Sequence, residues 1–208
     1  MEWGIIVVAV FFALVAYAII QETRAQMHWR GLVAKGDVDA IRQLLAGEIE
    51  RWRSDRVPKD VPALLWHGVQ TVEIIAVGAT GARVNCSAEG EYALVDGQRA
   101  ETSSPLAEGM KTTKKLADML LYDVPNLRLD HVQIDVYTSF RDEGGHASAR
   151  CILSSLVRRG DVEDLDWEAT SATEFAEIVG ARFVADGPGA LRPTEPLPWS
   201  DPIENEVI

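Results

Sequence analysis

The sequence predicts an α+β protein with an N-terminal transmembrane helix, then a helical segment and an antiparallel sheet. The sheet is expected as a three-stranded meander, a helix, a β-hairpin and a short helix. Three observations lead there. The chain opens on an uncharged apolar run, Gly4–Ile20. Apolar residues recur at helical spacing in 38–52 and 106–121. Apolar and polar residues alternate at period two in 72–77, 82–95 and 131–155.

The 17 residues from Gly4 to Ile20 carry no charge, and their only strong hydrogen-bonding side chain is Tyr17. As a helix they extend about 26 Å, enough to cross the hydrocarbon core with little tilt. Trp3 and Tyr17 lie near its ends, where amphipathic rings favour the interface, and Phe11 and Phe12 lie within it. Ala16-Tyr17-Ala18 resembles a signal-peptide cleavage point, but Met1-Glu2-Trp3 lacks the basic n-region of such a peptide. The run is therefore read as a retained single-pass signal-anchor. Arg24, Arg30 and Lys35 follow it while only Glu2 and the amino terminus precede it. The positive-inside rule then places the C-terminal domain on the cytoplasmic side of the cell membrane.

The expected organisation is an anchor (1–20), a juxtamembrane helical segment (21–56), an α+β domain (57–185) and an irregular, Pro-rich, acidic tail (186–208). Asp37 follows Gly36 and is placed to cap a helix through Trp52 or Arg53. Its apolar stripe is Val38, Ile41, Leu44, Leu45, Ile49 and Trp52. The Gly36–Leu45 segment is similar to the second helix of an ankyrin repeat. No second copy follows at the spacing of about 33 residues that such an array requires, so a repeat fold is excluded.

Pro58 and Pro62 bracket a connection to a short helical turn, Ala63–Trp66. In the first hairpin, Ala79-Thr80-Gly81 is read as a three-residue loop with Gly81 left-handed. That loop sets Ala76 against Val84 and Ile74 against Cys86. Asp96-Gly97 signals a two-residue turn into Gln98–Thr102. Ser103-Ser104-Pro105 starts a helix to about Tyr122. The last hairpin turns at Asp142–Gly145, with Arg141 opposite His146, Val136 opposite Cys151, Ile134 opposite Leu153 and Tyr137 opposite Arg150. Ser171-Ala-Thr-Glu174 is a capping box for a final helix closed by Gly180.

Charge excludes one class of partner. Residues 160–208 hold 12 acids against Arg182 and Arg192, a net −10, while residues 21–159 balance 19 acids with 18 bases. No basic cluster is present to neutralise a phosphate backbone, which argues against nucleic acid. Arg outnumbers Lys by 15 to 5, a bias of the kind genome composition produces. No phosphate loop, Cys-x-x-Cys pair or nucleophile elbow occurs, and no cofactor is implied.

Cys86 and Cys151 both alternate with inward residues and are read as buried, inert thiols. His131, Gln133 and Asp135 share a strand face, but His146 pairs near Arg141, roughly 33 Å along the strand from His131. A shared metal ion is thereby ruled out. Tyr137 and Arg150 are expected to form a cross-strand cation–π pair. Lys111, Lys114 and Lys115 form one helix side, a candidate contact for anionic headgroups. Pro196, Pro198 and Trp199 form a candidate docking tail, which otherwise packs back on the domain. His67 and Glu73 have no partner legible from spacing.

With no catalytic constellation, the favoured reading is a membrane-tethered, non-catalytic adaptor or accessory subunit of a membrane-associated complex. The alternatives are a membrane-anchored small-molecule or lipid-binding domain, and an enzyme whose site assembles only in three dimensions.

Overall fold

The computed structural model describes residues 12, 17, 31–95, 97–141, 144–185 and 191–199. The expected anchor lies outside these, Trp3 and Phe11 included, except for Phe12 and Tyr17, which are helical and exposed. Among the described residues, no helix is long and apolar enough to cross a membrane.

Helix α1 (Val38–Ser54) starts at Asp37, whose carboxylate accepts the Ala40 N–H at 2.9 Å. It buries Ile41, Leu45, Ile49 and Trp52, as the stripe required. Helix α2 (Ala63–Gln70) is longer than the expected turn and buries Trp66 and Val69. Its Gly68 is held close to helix α3 (Pro105–Asp118), since an added Cβ would lie 2.7 Å from Thr112 Oγ1. Ser104 caps α3 through the Ala107 N–H. The helix runs on into a π-turn, Met119–Asp123. Arg159 closes that end, donating to the Leu121 and Leu129 carbonyls and stacking over the Tyr122 ring. Helix α4 (Ala172–Ile178) is capped by Ser171 and ends at Gly180, whose φ of 61° suits glycine.

The strands are β1 (Glu73–Val77), β2 (Gly81–Ser87), β3 (Glu91–Val95), β4 (Gln98–Ser103), β5 (His131–Arg141), β6 (Ala147–Arg158), β7 (Arg182–Ala185) and β8 (Leu191–Arg192). Six form one sheet in the order β1-β2-β5-β6-β7-β8, while β3 and β4 form a separate two-stranded sheet. The mixed α+β character holds, and three finer expectations are corrected.

First, the sheet is not wholly antiparallel. Strand β2 pairs with β5 in parallel, because the chain leaves at Ser87 and re-enters at His131 after a hairpin and a helix. Secondly, 82–95 is not one strand of a meander. It breaks at Ala88–Gly90, where a Cβ on Gly90 would meet Ser103 O at 3.0 Å, and β3 then turns back on β4 alone. Asp96 lies outside the described residues, but Val95 faces Gln98 and Gly97 has a φ of 80°, as the expected two-residue turn requires.

Thirdly, both hairpin registers differ. Ile74 faces Val84 and Ala76 faces Arg83, the offset absorbed by a bulge between Ile74 and Ala76. In β5–β6 Val136 faces Leu153 while Tyr137 faces Cys151, so Ile152 is an extra residue. That bulge moves Cys151 off the inward set, onto the face of Tyr137. Arg150 faces Thr138, and its Nε reaches Ser148 Oγ at 3.4 Å, so the expected pairing with Tyr137 does not form.

The core fills the space between the four helices and the inner sheet face, which presents Ala82, Val84, Cys86, Val132, Ile134, Val136, Leu153 and Val157. At roughly 25 cal/mol per Å2 of apolar surface removed from water, this layer is the main source of stability.

Candidate functional site

The outer sheet face carries polar residues by the same alternation, yet its centre is buried. Asp135 and Gln133 are 1% exposed and Ser154 is 0% exposed. In-register pairing brings Arg83 beside Gln133, and Asp135 beside Ser154. Asp135 accepts from Arg83 Nε at 2.8 Å, from Ser154 Oγ at 2.5 Å and from Gln133 Nε2 at 3.2 Å. A buried carboxylate is tolerated only when paired and saturated in this way.

The cover is the chain's own tail. After β8, the Thr194 N–H donates to the Cys151 carbonyl at 2.8 Å. The Leu197 N–H then donates to Ser154 Oγ at 2.8 Å, and its carbonyl accepts from Gln133 Nε2 at 2.9 Å. Trp199 ends the strap against the His131 ring, with centroids 5.5 Å apart. Gly81 makes room for that ring, because a Cβ there would lie 2.2 Å from His131 Nε2. The glycine expected in a left-handed turn is instead a close-approach position within β2.

Beyond the strap, the same face continues as an open polar cleft of about 660 Å3. It is lined by Glu73, Asn85, Ser87 and Tyr137, with Arg53, Gln70 and Thr71 at one side. Arg53 and Gln70 are already bonded to main-chain carbonyls, and Thr71 to the Ser87 N–H. Burial, and then the nearby Cys151 and Asp135, raise the Tyr137 hydroxyl above its ordinary pKa.

A second cleft of about 480 Å3 lies between α2, α3 and the segment before α4. Lys111, Lys114 and Lys115 line it together with Leu65, Asp118 and Trp167. Lys111 pairs with Glu108 at 2.6 Å, Lys115 with Asp118 at 3.1 Å, and Lys114 donates to the Thr170 carbonyl at 2.5 Å. Their charges are thus turned towards internal partners.

Both thiols are buried. Burial, then Asp135 and Cys151, push Cys86 up to about 12; burial, then Asp135, push Cys151 up to about 11. Neither supplies a thiolate nucleophile near neutral pH. Among the described residues, no three His, Cys, Asp or Glu side chains are grouped to hold a metal ion.

The face His131-Gln133-Asp135, legible in the sequence, is therefore real. Its completing partners Arg83, Ser154 and Leu197 were not legible, since they are 43 to 64 residues distant from those they bind or lie on another strand. The one available signal was the Pro-Leu-Pro-Trp motif, which packs back on the domain. Comparison with protein-family models, curated proteins and solved structures gives no match.

Proposed function

We propose that the protein is a membrane-tethered, non-catalytic accessory subunit that binds another protein at the cytoplasmic face of the cell membrane. The tether rests on the apolar run Gly4–Ile20 and the orientation on the basic residues that follow it. The observation that carries the reading is the β3–β4 hairpin. Among the described residues it belongs to no larger sheet, and Leu94 is 79% and Tyr92 48% exposed on one of its faces. A two-stranded ribbon is marginal by itself and offers unpaired backbone edges to a partner strand. Arg99 lies over the Tyr92 ring at 4.1 Å on that face.

Co-purification of the full chain in mild detergent tests this reading. A defined partner is expected with the native protein and is lost with Tyr92→Ser/Leu94→Ser. Recovery of the native protein alone and monodisperse removes the reading.

The polar cleft at Glu73, Asn85 and Tyr137 supports a second reading, a small-molecule binding domain held at the membrane. Native mass spectrometry of the detergent-solubilised chain would then show a bound small molecule that is lost in Glu73→Ala/Asn85→Ala. A tether at the membrane would also hold Lys111, Lys114 and Lys115 near anionic headgroups, a separate contact. It is checked by binding to anionic against neutral vesicles.

A further inference from the structure

We propose that the outer-face groove is a recognition site for an extended Pro-X-Pro peptide of a partner protein, occupied in cis by the tail. This is a different surface from the β3–β4 hairpin and does not depend on that reading.

The seat fits the backbone of one residue. Ser154 donates its hydroxyl proton to Asp135, which leaves an oxygen lone pair facing the Leu197 N–H. Gln133 Nε2 gives one hydrogen to Asp135 and the other to the Leu197 carbonyl. Asp135, itself fixed by Arg83, therefore orients one acceptor and one donor for a single peptide residue. Such preorganisation removes much of the ordering cost of binding.

The ligand is matched to the seat by its prolines. Pro196 and Pro198 have no N–H, so only Leu197 within Pro-Leu-Pro offers both groups, which allows one register. Proline also biases the residue before it to extended backbone, here Glu195 and Leu197. Trp199, two residues on, adds the ring contact with His131.

The strap is held lightly. Pro196, Leu197 and Trp199 are only half-buried and Pro198 is exposed, whereas the seat below is fully buried. Lifting it uncovers polar groups that water can solvate, a smaller penalty than baring an apolar core. A peptide of the same pattern from another protein meets the same donor and acceptor. In the intact chain it competes with a tethered copy at an effective concentration of millimolar order.

The test uses the full-length protein in detergent and a fluorescent peptide of residues 192–199. The variant Leu197→Pro removes the strap's N–H while leaving the seat intact. Saturable binding is expected, at least ~10-fold tighter than to the native chain, where the cis strap competes. Adding Ser154→Ala to that variant should weaken binding by at least ~10-fold, the loss of one buried hydrogen bond. A control peptide with proline in place of the leucine should not bind. No saturable binding to folded Leu197→Pro protein, or equal binding of the control peptide, overturns the proposal. Should that variant not fold, a protease site inserted between Ala185 and Leu191 is cut after folding. Exchange of the labelled peptide into the nicked protein supports the proposal, and absence of exchange overturns it. Both readouts use purified protein without a partner, so their failure leaves the hairpin reading untouched.

Discussion

The two faces of the six-stranded sheet are both buried at the centre, but by different physics. The inner face meets the helices through Val84, Ile134, Val136 and Leu153, whose packing is close but non-directional. The outer face meets the strap through Asp135, Gln133 and Ser154, where each hydrogen bond has one donor, one acceptor and one register. Burial alone thus says little about what a face does. An apolar face stabilises the fold and tolerates conservative change; a saturated polar face selects what lies on it.

Substitutions can break that comparison in order of expected effect. Removing the carboxylate in Asp135→Ala leaves Arg83, Gln133 and Ser154 without their common acceptor, and about 3–5 kcal/mol of stability should be lost in denaturant unfolding. The apolar double replacement Arg83→Met/Asp135→Leu should recover only part of that loss, because Gln133 and Ser154 remain unoriented. Full recovery would reduce the outer face to ordinary packing. Ser154→Ala should cost about 1–3 kcal/mol and free the strap, seen as faster proteolysis after Arg192. On the inner face, Ile134→Val should cost about 0.5–1.5 kcal/mol and leave strap proteolysis unchanged. A strap that loosens there too would show the faces to be coupled through β5.

The effect of pH is least near neutrality and is confined to the alkaline range. The folded pKa of Cys86 is raised to about 12 from an ordinary value of 9.0, so between these values the folded state holds a proton that the unfolded state releases. Stability should fall as pH rises from about 9 towards 12, and Cys86→Ala should flatten that fall in alkaline unfolding curves. Near pH 7 both thiols should resist alkylation until the protein unfolds.

Much of the fold was legible because it is local. Asp37, Ser104 and Ser171 each cap the helix expected of them, and Gly97 turns its hairpin, since a cap or turn involves residues two to four apart. The breaks at Gly90 and Ile152 were not read. Gly90 inside an alternating run was an available warning, and so was Ile152, an apolar residue at an outward position between Cys151 and Leu153. The candidate site was legible in halves. His131, Gln133 and Asp135 were placed on one face and Pro196, Pro198 and Trp199 in one motif, but nothing along the chain joins the two.

By itself, then, the sequence determined most of the helices and the strands other than β7 and β8, where the helices begin, and most of the side chains that alternate towards the core. Those follow from near-neighbour sterics, hydrogen bonding and hydrophobic period. Tertiary structure alone decided that β2 and β5 run parallel, that a polar strand face is buried, and that the tail lies across it. The physical reason is that alternation separates polar from apolar without saying what covers either. A polar face is buried only if another part of the chain brings matching donors and acceptors, and that depends on topology.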